Sequence, residues 1–127
     1  MMREIRFRAW DEKNQAMIYP KGILFDGRVV NFMCGMLEPF DGYKLMQYTG
    51  LKDKNGREIY EGDVLGRVSP HTGLKHSYTV EWDEKHARFM SCGKRFQEHI
   101  SASIERGCEV IGNIYENPEL LKGEETT

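Results

Sequence analysis

The residues of this chain best suited to recognition lie on one alternating stretch near its start. Arg6, Arg8 and Trp10 project to one side of residues 4–10, with Glu4 beside them. Alternating guanidinium and aromatic groups can hold phosphate and stack a base. Lys44 and Tyr48, with Met46 between them, extend that surface if their strand pairs with the first. The structural reading is the favoured one: both arginines bridge carboxylates on adjacent strands, and Trp10 caps the core.

Residues that could support catalysis or hold a metal are scattered. His71 and His76 could meet a metal with Cys92 or Cys108, but no pair has the tight spacing of a zinc site. His86 follows Asp83 and Glu84, where a carboxylate could tune it for proton transfer; a charged turn accounts for it equally well. Glu58, Glu61 and Asp63 are acidic neighbours of Tyr60. Paired-carboxylate chemistry needs acids facing each other across a cleft, so Asp63 reads better as a turn residue bonding its own backbone. Asp53-Lys54-Asn55-Gly56 resembles part of a calcium loop, yet Leu51 and Gly62 fall where two essential acidic ligands belong. Cys34, Cys92 and Cys108 lack the cationic surroundings that favour thiolate. No catalytic residue, metal site or cofactor is therefore expected.

These groups must be positioned by short strands. Ile5, Phe7 and Ala9 alternate with Glu4, Arg6, Arg8 and Trp10, which predicts a strand with one buried face, pairing as a hairpin with residues 16–19. Residues 28–33 and 43–48 also read as strands, with a turn at Asp26-Gly27 and a loop from Cys34 to Gly42 broken by Pro39. The segment 48–64 forms an arch in which Gly50, Gly56 and Gly62 mark reversals, Asn55-Gly56 being a strong turn signal. Leu51, Ile59 and Tyr60 anchor it. Gly66 inside a strand signals a bulge or a close approach. Tyr78, Val80 and Trp82 point inward from the next strand. Phe96, Ile100 and Ile104 recur at helical spacing, predicting a short helix over 95–106 ended by Gly107. Val110, Gly112 and Ile114 share one face of a strand, and Ile111 and Tyr115 the other. Asn117 and Pro118 open a closing helical turn.

The chain has 127 residues, 39% hydrophobic and 30% charged, with a formal net charge of -2. Its mean hydropathy is -0.62. That length holds one hydrophobic core or two small ones. The charge gives no general attraction to nucleic acid or anionic lipid, and no apolar run approaches the ~20 residues that span a bilayer. No signal peptide is visible, and three widely spaced cysteines fit a reducing cytoplasm. The expected fold class is all-β with one or two short helices: an N-terminal β-layer followed by an SH3-like barrel. Residues 1–121 form one domain, with a possible division into 1–42 and 43–121, and 122–127 a flexible tail.

The opening Arg3-Glu4-Ile5-Arg6-Phe7-Arg8-Ala9-Trp10-Asp11 resembles the YopX family of phage and prophage proteins. So do residues 46–53 (Met-Gln-Tyr-Thr-Gly-Leu-Lys-Asp), 55–63 (Asn-Gly-Arg-Glu-Ile-Tyr-Glu-Gly-Asp) and the ending 109–121. The resemblance spans nearly the whole chain in matching order. It implies a β-rich fold with an SH3-like barrel and self-association, and no particular chemistry. Segments 71–76 and 95–107 carry no family pattern, so a role peculiar to this chain would lie there. The expected function is that of a non-enzymatic accessory protein in the bacterial host cytoplasm, a homo-oligomer that binds a protein partner and no membrane. The alternatives are a nucleic-acid-binding module using Arg6, Arg8, Trp10, Lys44 and Tyr48, and an enzyme with a site between subunits near Tyr60 and His86.

Overall fold

The computed structural model describes residues 4–20, 22–23, 29–33, 36–40, 43–94 and 97–122. The expected turn at Asp26-Gly27, Cys34, Gly35, Gly42, Phe96 and the tail beyond Lys122 lie outside them. The fold is mostly β, as the sequence predicts. Two compact units divide it, Met1–Tyr48 and Thr49–Thr127; the sequence places its possible boundary after Gly42.

In the first unit, β1 (Phe7–Asp11) pairs antiparallel with β2 (Ala16–Ile18). The hairpin between them closes on Asp11, whose carboxylate accepts the N–H groups of Lys13 and Asn14 and the Asn14 side chain. A second sheet runs in the order β3 (Gly22–Ile23), β4 (Val29–Met33), β5 (Met36–Phe40). β5 corrects the expected loop. Pro39 sits inside it because β5 is an edge strand, where a residue without an N–H can face outward. β6 (Tyr43–Lys52) pairs with β1, Phe7 opposite Gln47 through Asp11 opposite Tyr43, and continues into the second unit. The expectation of one buried face on β1 also needs correcting. Arg8, Ala9, Trp10 and Asp11 are all buried, so both faces are covered, whereas Ile5 is exposed.

The second unit contains β7 (Glu58–Tyr60), β8 (Asp63–Val68), β9 (Lys75–Asp83), β10 (Arg88–Cys92), β11 (Gln97–His99), α1 (Ile100–Glu105), β12 (Glu109–Asn113) and a 3-10 helix over Pro118–Lys122. Five strands form an antiparallel sheet in the order β11-β10-β9-β8-β12. It curls into a half-barrel, and among the described residues no pairing joins β11 to β12. Its core is Ile59, Leu65, Tyr78, Val80, Ile100, Cys108 and Val110, with Phe89 and Ile104 packed against it. Burying each large apolar side chain contributes about 1.5–3 kcal/mol.

The arch keeps two of its three predicted anchors: Ile59 and Tyr60 are buried, and Leu51 is exposed. Gly50, Gly56 and Gly62 all have positive φ, 89°, 83° and 84°. Gly56 and Gly62 lie at turns. Gly50 does not mark a reversal; it lies inside β6, where the Thr49 hydroxyl donates to the Ile59 carbonyl at 2.8 Å. The helix is shorter than expected, because residues 97–99 pair with β10 as a strand before the chain turns into α1. Gly107, at φ 95°, ends that turn by donating to the Ile104 carbonyl. Trp82 shares the face of Tyr78 and Val80 but is not buried. It is 44% exposed beyond the end of the core, with its ring edge-on to Phe89 at 4.8 Å.

β12 is not a regular two-faced strand. Val110 lies opposite Leu65 and Gly112 opposite Val64, so Ile111 is the extra residue of a bulge. Gly66 receives it: a Cβ there would stand 2.7 Å from Ile111 Cδ1. A Cβ on Gly112 would stand 2.5 Å from Asn117 Oδ1 and 2.8 Å from Leu120 Cδ1. The two glycines differ in what must yield. Ile111 is a half-exposed side chain that can swing out, whereas Asn117 is held by a bond to the Asn113 N–H. Gly112→Ala is expected to cost about 1–3 kcal/mol as an overpacked site, and Gly66→Ala less. Urea denaturation of the two variants checks this; an equal or reversed order would contradict it.

Candidate functional site

A groove of about 1010 Å³ lies in the second unit. One wall is the end of β8 with Gly66, Arg67 and Val68, continued by Lys75 and His76 of β9. Arg106, Gly107, Glu109 and Ile111 also line it, with Lys54, Glu119 and Leu120. Register explains the lining. Arg67 lies opposite His76 and Val68 opposite Lys75, so each pair shares a face. β12 begins opposite Gly66, so it leaves Arg67 and Val68 uncovered on that side.

Charge is unevenly committed here. Arg106 pairs with Glu98 at 2.7 Å, and Glu98 also accepts the Ser103 hydroxyl. Glu109 takes the Asn55 amide at 2.7 Å and lies 3.9 Å from Lys54 Nζ. Among the described residues Arg67 and Lys75 have no ion pair. The apolar part is Val68, 59% exposed, and Ile111, 42% exposed. The groove thus offers two uncommitted cations beside apolar surface.

The predicted binding face is brought together in the first unit but is not open. Trp10 lies opposite Lys44 and Arg8 opposite Met46, and the Tyr48 N–H donates to the Arg6 carbonyl, so the pairing places all of them on one face. Yet Arg8, Trp10 and Tyr48 are only 7%, 5% and 4% exposed. Arg6 lies over the Tyr48 ring at 5.0 Å and pairs with Glu4 at 3.1 Å; Lys44 is exposed, 3.9 Å from Glu12. This arrangement holds strands together and leaves little area on which to stack a base.

The other candidates are structural. Asp63 is buried and accepts the Tyr60 N–H at 2.8 Å, which makes it the turn residue expected. His86 Nδ1 is 2.9 Å from Asp83 Oδ2 in the β9–β10 turn. That hydrogen bond is the main reason the Asp83 carboxyl lies below its ordinary value; Arg88 adds to it. Burial and the charges of Glu81 and Asp83 push the Cys92 thiol up to about 11, and burial raises Cys108. Both thiols are free and protonated at neutral pH. Among the described residues no group of His, Cys, Asp or Glu could hold a metal, and no helix is long and apolar enough to cross a membrane.

A family model described as "YopX protein" matches residues 6–122. The chain belongs to the YopX family. It is similar to the crystal structure of protein EF1440 from Enterococcus faecalis, at 30% identity and a TM-score of 0.70, covering 94% of this chain and 99% of that one. It is also similar in fold to the X-ray structure of protein yopX from Bacillus subtilis, at 22% identity and a TM-score of 0.68, covering 98% and 100%. A comparison with curated proteins gives no match.

The stretches that resemble YopX motifs are occupied in holding backbone. Asn113 Oδ1 accepts the N–H groups of Tyr115 and Glu116, its amide donates to Glu116, and Asn117 returns a bond to the Asn113 N–H. Asp53 is buried; its Oδ1 accepts from Asn55 and Arg57 and its Oδ2 from Val110, each at 2.9 Å. Burial acts to raise the Asp53 carboxyl, but the N–H bonds of Val110, Arg57 and Asn55, with the Arg57 charge, outweigh it and hold it low. The groove residues, in contrast, are single positions dispersed over the sequence. Their one signal in the sequence was indirect: Lys75, His76, Arg106 and Gly107 fall in 71–76 and 95–107, where no motif is legible in the sequence, although the family match spans both segments.

A carboxyl lowered in the folded state stabilises above its ordinary value of 3.8, and that contribution is lost as pH falls through the lower folded value. Asp53→Ala also strands the buried Val110 N–H, at a cost of about 1–3 kcal/mol. Denaturation curves at pH 7 and pH 3 are expected to show a smaller acid-induced loss for Asp53→Asn than for the parent chain. Equal losses would contradict the assignment.

Proposed function

We propose that this chain is a non-enzymatic accessory protein of phage or prophage that acts by docking a protein partner in the groove beside β8. The observation that carries this reading is the juxtaposition of Arg67 and Lys75, without ion pairs among the described residues, with exposed Val68 and Ile111. Charges left unmatched beside apolar surface suit a site that meets its complement in another molecule. The reactive groups favour docking over bond-making, because both described thiols are raised and Asp53 and Asp63 are spent on backbone N–H groups.

We further propose that the chain self-associates. Trp82, exposed and stacked edge-on with Phe89, is a large apolar side chain of the kind that interfaces bury. Light scattering at micromolar concentration is expected to give more than the single-chain mass; a single-chain mass would remove this part.

The docking reading is tested by affinity capture from infected bacterial cells, with mass spectrometry of bound protein and analysis of bound nucleic acid. A protein held by the parent chain is expected to be lost from Lys75→Glu and Val68→Asp, both exposed positions. Retention of the same partner by both variants, or recovery of nucleic acid in its place, would sink the groove as a protein-docking surface.

A further inference from the structure

The end of β8 carries a feature that side-chain charge alone does not describe. β9 pairs with β8 along its length, through Val68 opposite Lys75. β12 stops opposite Gly66. Successive residues of an antiparallel strand aim their N–H and C=O groups to opposite sides. One of Arg67 and Val68 therefore presents both backbone groups away from β9, into the groove. Uncovered strand edge of this kind is a template for another extended segment. The same register divides the side chains. Arg67 and His76 lie on one face with Leu65 and Tyr78, while Val68, Lys75 and Gly66 lie on the other, where Ile111 covers Gly66.

We infer that the groove's ligand is an extended acidic peptide segment that adds to the edge of β8 at Arg67–Val68, continuing the line of β12. The inference rests on the docking reading above and specifies its partner. A strand laid there has period-two side chains. Those on the Arg67 face meet guanidinium and imidazole, so carboxylates fit. Those on the Val68 face meet Val68 and Ile111, with Lys75 at the margin, so apolar groups fit there. The complement is thus an alternation of Glu or Asp with aliphatic residues. A basic segment would set its charges against Arg67 and Lys75 and meet only Glu119, since the other lining carboxylate, Glu109, already has partners. A nucleic-acid backbone would satisfy the cations but has no amide groups to continue the ladder.

The test uses the full chain and fluorescence anisotropy with three labelled probes: an end-blocked peptide of about six residues, an ordinary strand length, alternating Glu and Val; its Lys and Val counterpart; and a short oligothymidylate. The Glu–Val peptide is expected to bind, more weakly as salt rises. Arg67→Glu and Lys75→Glu are each expected to weaken it about tenfold or more, a modest effect for a reversed charge at a contact. N-methylation of alternate amides in the peptide is expected to weaken it similarly in one of the two phases, because that phase removes the donors facing β8. Lys75 is exposed, so its variant keeps the test valid if Arg67→Glu fails to fold. Equal binding of the acidic and basic peptides, binding of the oligonucleotide without the acidic peptide, or indifference to N-methylation in both phases would overturn the inference. If the captured partner depends on Lys75 while the Glu–Val peptide does not bind, docking stands and the acidic strand falls. If the partner ignores both Lys75→Glu and Val68→Asp, docking itself falls.

Discussion

The second unit depends on one buried carboxylate. Asp53 gathers three backbone N–H groups, two from its own turn and one, Val110, from a strand more than fifty positions away in sequence. A buried N–H without a partner costs about as much as a lost hydrogen bond, and more where water cannot reach it. By accepting the Val110 N–H, Asp53 satisfies a group on β12 and fixes the start of that strand against the turn. The bulge at Ile111 follows within one residue, and its side chain lies in the space that Gly66, without a side chain, leaves open. Where β12 begins in turn decides where β8 is left open. A short-range turn motif thereby sets the position of a long-range groove.

The same economy explains why the family-like motifs gave so strong a fold signal and so little chemistry. Asn113 and Asn117 close the last turn on each other and on Gly112. Asp63 ties the β7–β8 turn, and Thr49 pins the kink at Gly50. These residues are polar and conspicuous in sequence, and each could be mistaken for part of a reactive site. Their acceptor atoms are already occupied by N–H or O–H donors of the chain. A carboxylate in that position is a poor general base, because its lone pairs are engaged.

Much of the β architecture was legible because period-two alternation and glycine turns are local signals. The β1–β2 hairpin, the Asn55-Gly56 turn and the close approach at Gly66 all follow from near neighbours. What failed to read depended on distant ones. Trp82 alternates with Tyr78 and Val80 as though buried, but the core ends before reaching it. Residues 97–99 lie within the span that Phe96, Ile100 and Ile104 mark at helical spacing, yet β10 offers them an edge to pair with, and tertiary pairing overrides weak propensity. Pro39 looked like a loop residue because sequence does not reveal which strand will lie at a sheet edge. The Arg6, Arg8 and Trp10 face was correctly grouped by its alternation, while its burial was set by packing that alternation does not encode.

The groove shows the limit from the other side. None of its residues stands out alone: Arg67 and Lys75 are two cations among the 18 in the chain, and Val68 and Ile111 are ordinary strand residues. They become a site because β9 outruns β12 along β8. That difference in strand length sets two charges and two apolar groups around a length of backbone paired on one side only. Asp53, Asp63, Asn113 and Asn117 hold backbone, while the groove is lined by Arg67, Val68, Lys75 and Ile111, which take no part in those bonds. A scaffold held by one set of residues and a recognition surface drawn partly from another can change its partner without losing its fold.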